Sequence, residues 1–343
     1  MTGFFVKSFD PSILAGKKLL VSAEEAGGCN FLLAFLEENQ LESSVACFFA
    51  GKGAATILQN RSLPFRWVTC CDLEPLQMSR SSSYAVVMCH SVGFSCEKIL
   101  CAELEGLGLQ LARIGFLDTN VNMWQRFASS PSGIDAAYLP DQLVVPSIKV
   151  GSECVKEGFP PNVLRVMEHP FDKALNDVGF PSQLPGWKRQ GELSILLLLE
   201  AGMEDSDEWK WDNTESYIAE MFEIIRYSLN DLVVKNSESG LFSSIRLWVR
   251  GHPHDDCSQF LPMFCINGIH TAIDEKLLVE DSLSAVDIVL GIGSMALRQA
   301  AMAGKRTYSP SLDSAAANYP IFSFGKSPAP LSTLVVELFG EAE

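Results

Sequence analysis

At 343 residues, with 47% apolar and 20% charged side chains, the sequence folds rather than remaining disordered, and it is long enough for two domains of ordinary size. Its 26 basic residues against 42 acidic ones leave a formal charge of −16. That balance excludes extended nucleic-acid binding, which needs a surplus of cations along the phosphates, but not a local basic pocket for one phosphorylated small molecule.

In chain order the pattern is strand, polar or glycine turn, then helix. "KKLLVSA" (17–23) is a short apolar run, "EEAGG" follows, and "NFLLAFLEENQ" carries apolar residues at helical spacing. "SSVACFFAG", "YAVVMCH" (84–90), "LARIGFLD" (111–118), "DQLVVPS" (141–147) and "VLRVMEH" (163–169) continue the strand series. Continuous apolar runs of this kind suit parallel strands covered on both faces. The stretch 170–192 breaks the rhythm with three prolines and three glycines. The pattern restarts with "LSILLLLEAG", the most apolar strand and one expected at the centre of its sheet. A long amphipathic helix (214–235) follows, then strands at "SIRLWVRG", "IHTAID" and "DIVLGIG", a helix "SMALRQAAMAG" and a last strand "RTYSP". Gly304 stands where a left-handed helix terminator is expected.

The expected fold is therefore α/β, with two Rossmann-like parallel-sheet domains facing across a cleft. The N-terminal domain spans 1–170, a linker covers 171–192, and 193–343 form the C-terminal domain. The C-terminal helix is a candidate to pack back on the first domain. Ligands of open parallel sheets bind beyond the carboxyl ends of the strands, so the residues just after strands are the ones to question.

The ten cysteines are scattered, several inside apolar runs, and none has C-x-x-C spacing. Neither a metal site nor a disulfide framework is expected, and buried free cysteines suit a reducing compartment. No apolar run reaches the roughly 18 residues a membrane span needs, and "MTGFFVKSFDPS" lacks the long apolar core of a secretory signal. A soluble cytoplasmic protein is the expectation, with oligomeric state open.

Four stretches carry candidate chemistry. After the first strand, Gly27 and Gly28 allow close backbone approach, and a helix starting near Asn30 would offer its N–H groups to an anion or sugar hydroxyl. The alternative is a tight turn needing glycine for geometry alone. After "GFLD", Asp118 is placed as a general base, with Asn122 and Arg126 on one face of the helix expected next. Alternatively Asp118 caps that helix and pairs with Asn120 or Asn122, while Arg126 makes a surface ion pair. In "WVRGHPHDD" (248–256) two histidines flank a proline, which rules out a shared helix face for a metal. A stiff turn aiming Arg250 and His252 at a phosphate fits instead, and the rest reads as a solvated turn. In "DIVLGIGSMALRQAAMAGK" a buried strand runs into Gly291 and Gly293, and Ser294 can cap a helix, which makes either a phosphate cradle without Walker spacing or a serine-capped helix entry with no ligand.

Together these blocks resemble the two-Rossmann-domain (GT-B-like) proteins of bacterial surface-polysaccharide gene clusters, over roughly residues 17–310. "EEAGGCNFLLAFLEE" is similar to that family's D-A-G-G-A-N loop and first helix. "FLDTNVNMWQRF" is similar to its D-x-W-x-N-Y-x-x-R-F block at Asp118, Asn122, Arg126 and Phe127. "LPDQLVVPS" with "VLRVMEHPFDKAL" looks like the end of the first domain. "RGHPHDD" and "GIGSMALRQAAMAGK" are similar to its K-x-H-P and G-x-G-S-x-x-L-x-E-A blocks. Histidine–proline and serine motifs also occur in bacterial sialyl- and Kdo-transferases, where the histidine contacts the donor phosphate.

The resemblance implies an acceptor-binding domain in 1–170 and a nucleotide-sugar donor domain in 193–343, with donor-phosphate binding by Arg250, His252, Gly293 and Ser294, and an acceptor base at Asp118. Gln299 stands where the family often has a glutamate for the donor ribose, and Asn120 where tryptophan is usual. The implied activity is metal-independent glycosyl transfer from a nucleotide-sugar to a glycan or lipid-linked acceptor, with no separate cofactor. Two other readings stay open. One is a nucleotide-sugar epimerase or hydrolase using carboxylates such as Glu24, Glu25, Glu168 or Glu200; the other is a non-catalytic binding protein.

Overall fold

The computed structural model describes residues 7–59, 61–70, 72, 76, 83–93, 95–118, 123–130, 132–170, 191–199, 214–251, 257–276, 279–310 and 328–340. The chain divides into two compact units, Met1–Ala174 and Leu175–Glu343. The sequence-expected linker falls almost wholly outside the described residues.

Unit 1 holds β1 (Lys7–Ser8), β2 (Lys18–Ala23), α1 (Ala26–Glu38), β3 (Val45–Ala50), α2 (Lys52–Leu58), β4 (Trp67–Thr69) and β5 (Tyr84–Cys89). These are followed by α3 (Cys96–Gly106), β6 (Ala112–Phe116), β7 (Gln142–Val145), α4 (Ile148–Lys156) and β8 (Leu164–Val166). The strands form one parallel sheet in the order β1-β8-β7-β6-β5-β2-β3-β4. Alternation along β2 explains its two-sided burial. Leu19, Val21 and Ala23 pack with Phe31 and Phe35 of α1, while Leu20 faces the cluster built on Val86, Met88 and Leu100.

Unit 2 holds β9 (Glu192–Leu198), α5 (Thr214–Ser239), β10 (Ser244–Arg250), β11 (Ile269–Ile273), α6 (Val279–Ser284) and β12 (Ile288–Leu290). After these come α7 (Met295–Met302), β13 (Arg306–Ser309), β14 (Ala329–Pro330) and α8 (Thr333–Phe339). Its parallel sheet runs β11-β10-β9-β12-β13-β14, so the very apolar β9 is interior, as its composition requires. Gly304 ends α7 at φ +74°, in the left-handed region expected for it. The C-terminal helix packs within its own unit. Leu334 and Leu338 of α8 join the unit 2 core, and Phe339 meets Phe242 edge-on at 6.2 Å.

Sheet order decides where ligands can bind. Counted within each unit, both orders contain the doubly wound sequence 3-2-1-4-5-6: β4-β3-β2-β5-β6-β7 in unit 1 and β11-β10-β9-β12-β13-β14 in unit 2. The strand order reverses between β2 and β5, and again between β9 and β12. The helices after those strands leave on opposite faces, which opens a crevice at the strand tips. No described helix is long and apolar enough to cross a membrane.

Candidate functional site

In unit 1 the β2/β5 reversal gathers most of the polar residues. α1 begins at Ala26, not near Asn30, so Gly27 and Gly28 lie inside its first turn. A Cβ on Gly28 would sit 3.0 Å from Cys89 Sγ, so this glycine serves close helix–strand packing. Asn30 is one turn further on, and its Oδ1 accepts a hydrogen bond from Arg61 Nη2 at 3.1 Å.

Glu24, directly after β2 and singled out in the sequence only as a carboxylate for the epimerase reading, is the local organiser. Its Oε1 accepts from Lys52 N at 3.2 Å and its Oε2 from Cys96 N at 3.0 Å. These are the first residues of α2 and α3. The residues before them, Gly51 and Ser95, make no side-chain cap bond of their own. One carboxylate therefore caps two helices. Gly51 makes room for it, since a Cβ there would lie 2.1–2.2 Å from the Glu24 carboxylate. Beside it, Glu97 is fully buried, and its Oε1 accepts from Glu24 N at 2.6 Å. Burial pushes the Glu97 carboxyl up to about 7.

After β5 and β6 come His90 and Asp118. Arg126 Nη1 donates to Asp118 Oδ1 at 3.0 Å and to the carbonyl of His90, with side-chain exposures of 11% for Arg126 and 6% for Asp118. Arg126 is not at the surface, and the alternative in which Asp118 caps a helix or pairs with Asn120 or Asn122 falls on residues 119–122, outside the described residues. Arg126 forms a buried pair with Asp118 itself, and the segment after it is a 3-10 turn, Trp124–Phe127. Asn122 lies outside the described residues. Cys89 ties the two stretches together, because its sulfur touches the Gly28 position and lies against Asp118.

The buried His90 imidazole packs on Phe127 at 4.3 Å between ring centroids, and neither ring nitrogen has a hydrogen-bond partner among the described residues. Burial, then the charges of Arg126, Lys98 and Arg113, push it down to about 3, so it stays neutral near pH 7. Lys98 donates to the carbonyls of Gly93 at 2.7 Å and Ala128 at 2.8 Å, tying the entrance of α3 to the turn that carries Arg126. Burial lowers its ammonium to about 8.

In unit 2 the β9/β12 reversal is occupied by the segment 291–294. Gly291 N donates to Tyr308 O at 3.3 Å, and Ser309 Oγ donates to Ile292 O at 2.6 Å, fixing the turn against β13. Ser294 caps α7, its Oγ accepting from Leu297 N at 3.2 Å. Used as an acceptor in this way, the hydroxyl keeps its own hydrogen as a donor. Gln299 and Arg298 are buried within α7, at 4% and 1% exposure. Nothing in the sequence pattern marks Arg298 as an interior residue.

On the other side of β9, Arg250 ends β10. Its Nη1 donates to Asp274 Oδ2 at 2.8 Å, Lys276 O at 2.8 Å and Ser282 Oγ at 3.1 Å. It thus ties three strand and helix ends together at the tips of the sheet. His252 lies outside the described residues. A cavity of about 670 Å³ adjoins this arginine's partners and continues along the sheet past Trp248 and Arg246 to Glu192.

A scan against known protein families finds no match, and no curated protein matches in sequence. Solved structures do match in shape. S. aureus MnaA, solved with UDP, aligns over 95% of this chain and 87% of its own, at TM-score 0.54 and 8% identity. Methanocaldococcus jannaschii UDP-GlcNAc 2-epimerase, in complex with UDP-GlcNAc and UDP, aligns over 94% and 92%, at 0.53 and 10%. Anabaena HepE, in complex with UDP-glucose, aligns over 95% and 90%, at 0.50 and 11%. At such identities the likeness speaks for architecture. The chain has the α/β fold of two Rossmann-like parallel sheets, of the GT-B type.

Proposed function

We propose that the protein binds a uridine-diphosphate sugar at the carboxyl end of β12 and transfers the sugar to a glycan or related acceptor bound in unit 1. The observation that carries this reading is the position of Gly291–Ser294: a capped helix start at the strand-order reversal of a doubly wound sheet. Similarity to structures solved with UDP and UDP-sugars supports the choice of ligand. The first N–H groups of α7, in particular those of Met295 and Ala296, would receive the diphosphate together with the Ser294 hydroxyl. His252 would add a hydrogen-bond donor in the manner of the histidine–proline motif, and Arg250, whose charge is shared with Asp274, would add further N–H donors. These groups would stabilise the leaving diphosphate without requiring a divalent cation there.

In transfer, an acceptor hydroxyl attacks the anomeric carbon, its proton passes to a base, and UDP leaves with the bonding electrons. Asp118 is the candidate base in this reading. Its Oδ1 is held by Arg126, so the proton would go to Oδ2, with inversion at the sugar. Surface-polysaccharide synthesis is the setting the motifs suggest.

A second reading, epimerisation or hydrolysis of the same donor, is favoured by one observation. Glu24 and Glu97 bring two carboxyl groups to the β2/β5 reversal, and Glu97 is pushed up to about 7, suited to proton transfer at neutral pH. The two readings separate on incubation with UDP-GlcNAc or UDP-glucose, with and without a panel of acceptor sugars. Transfer predicts a stable donor until acceptor is added, then UDP and a glycosylated product. Conversion or hydrolysis of the donor with no acceptor, abolished in Glu97→Gln, would replace transfer with the second reading.

A further inference from the structure

We infer that Glu24, Cys70 and Cys96 form a binding site in unit 1 for one thiophilic divalent cation of the zinc type. A carboxylate oxygen of Glu24 and the sulfurs of the two cysteines all lie within 4.8 Å of one another. The three residues come from separate elements. Glu24 follows β2, Cys70 follows β4, and Cys96 opens α3. Zinc–sulfur bonds of about 2.3 Å and zinc–oxygen bonds of about 2.0–2.2 Å place tetrahedral ligands roughly 3.5–3.8 Å apart. Closing the cluster on an ion therefore asks for about 1 Å of side-chain movement and no change in the sheet.

Independent features favour the ion. Glu24 is already oriented by two backbone N–H donors, which hold its carboxylate beside the two sulfurs. Gly51 keeps that carboxylate in place by having no Cβ. The fully buried Ser22 hydroxyl lies beside the Cys96 sulfur, and the buried Glu97 Oε2 has no hydrogen-bond partner among the described residues. Buried polar groups next to ligands are what orient and tune a metal's donors.

Two sulfur donors select zinc-like ions over magnesium or calcium, and three protein ligands leave a fourth position for water. Cys96 is buried whereas Glu24 and Cys70 are partly exposed, so the ion would enter from the Cys70 side. All three residues belong to unit 1, and the assignment uses none of the groups proposed to hold the diphosphate, so its failure would leave the transfer reading untouched.

Cobalt(II) is the probe. Added to the chelator-treated full-length protein under reducing conditions, with no nucleotide present, it should bind at one equivalent. A thiolate-to-cobalt charge-transfer band and the visible bands of a tetrahedral ion should appear, and zinc should displace both. Cys70→Ser and Cys96→Ser should each weaken binding by at least about tenfold and cut the charge-transfer intensity. Cys265→Ser, at an exposed cysteine in unit 2, should change neither. Cys70 is partly exposed, so its serine variant keeps the test decisive even if Cys96→Ser fails to fold. Absence of the charge-transfer band in the wild type, or its full retention in Cys70→Ser, would overturn the assignment.

Discussion

Replacing Arg126 with alanine is expected to cost about 3–5 kcal/mol of folding stability, because it leaves the Asp118 carboxylate buried without its cation. The pair is short, at 3.0 Å, and the aspartate side chain is only 6% exposed. Arg126 also donates to the His90 carbonyl, so the same change strips a partner from the backbone at the end of β5. The cost should be specific to charge. A double variant, Arg126→Met with Asp118→Leu, should recover a good part of the loss, since two apolar groups leave no orphaned ion. Urea unfolding followed by circular dichroism measures both variants. A loss below about 1 kcal/mol in Arg126→Ala would mean the pair is solvated like a surface bridge.

Glu24→Ala should be the second most damaging change, at about 2–4 kcal/mol, from two lost helix caps at about 1–2 kcal/mol each. Its oxygens accept from the first residues of α2 and α3, at 3.2 and 3.0 Å. Glu24→Gln should be intermediate, because an amide offers one oxygen and turns an N–H group toward the other donor. Gly51→Ala tests the same arrangement from the opposite side, since its Cβ would occupy the space of the carboxylate. Unfolded in the presence of a chelator, Glu24→Ala should be the least stable of the three variants, followed by Gly51→Ala and then Glu24→Gln. Glu24→Ala within about 0.5 kcal/mol of the wild type would contradict the shared-cap account.

Most strands can be read from the sequence, because parallel strands buried on both faces leave uninterrupted apolar runs: "YAVVMC" is β5, and "ELSILLL" is the interior β9. The short β4, Trp67–Thr69, cannot, since three residues after a proline-bearing stretch leave no periodicity to detect. Helix starts are harder to place. α1 begins four residues before Asn30, after Glu25, which makes no side-chain cap bond, so no serine or aspartate signal marks its start.

The candidate site is readable where it depends on strand ends. Asp118, Arg250 and Ser294 all lie at or just beyond the carboxyl ends of strands in the structure. Asp118 and Arg126 stand in one recognisable sequence block, eight residues apart on the connection after β6, but the sequence does not show that they form a buried ion pair. The gathering of Glu24, Cys70 and Cys96 is a product of sheet order, and a search for C-x-x-C passes over residues drawn from three different elements.

The central claim, that the turn at Gly291–Ser294 receives a diphosphate, is tested most directly by isothermal titration with UDP and with uridine. The wild type should bind UDP at one site per chain and bind uridine at least about tenfold more weakly, a difference of about 1.4 kcal/mol for the phosphates. Ser294→Ala should remove most of that difference while the protein stays folded, its lost cap costing about 1 kcal/mol of stability. Equal affinity of wild type and Ser294→Ala for UDP, or no UDP binding by a folded wild type, would contradict the account.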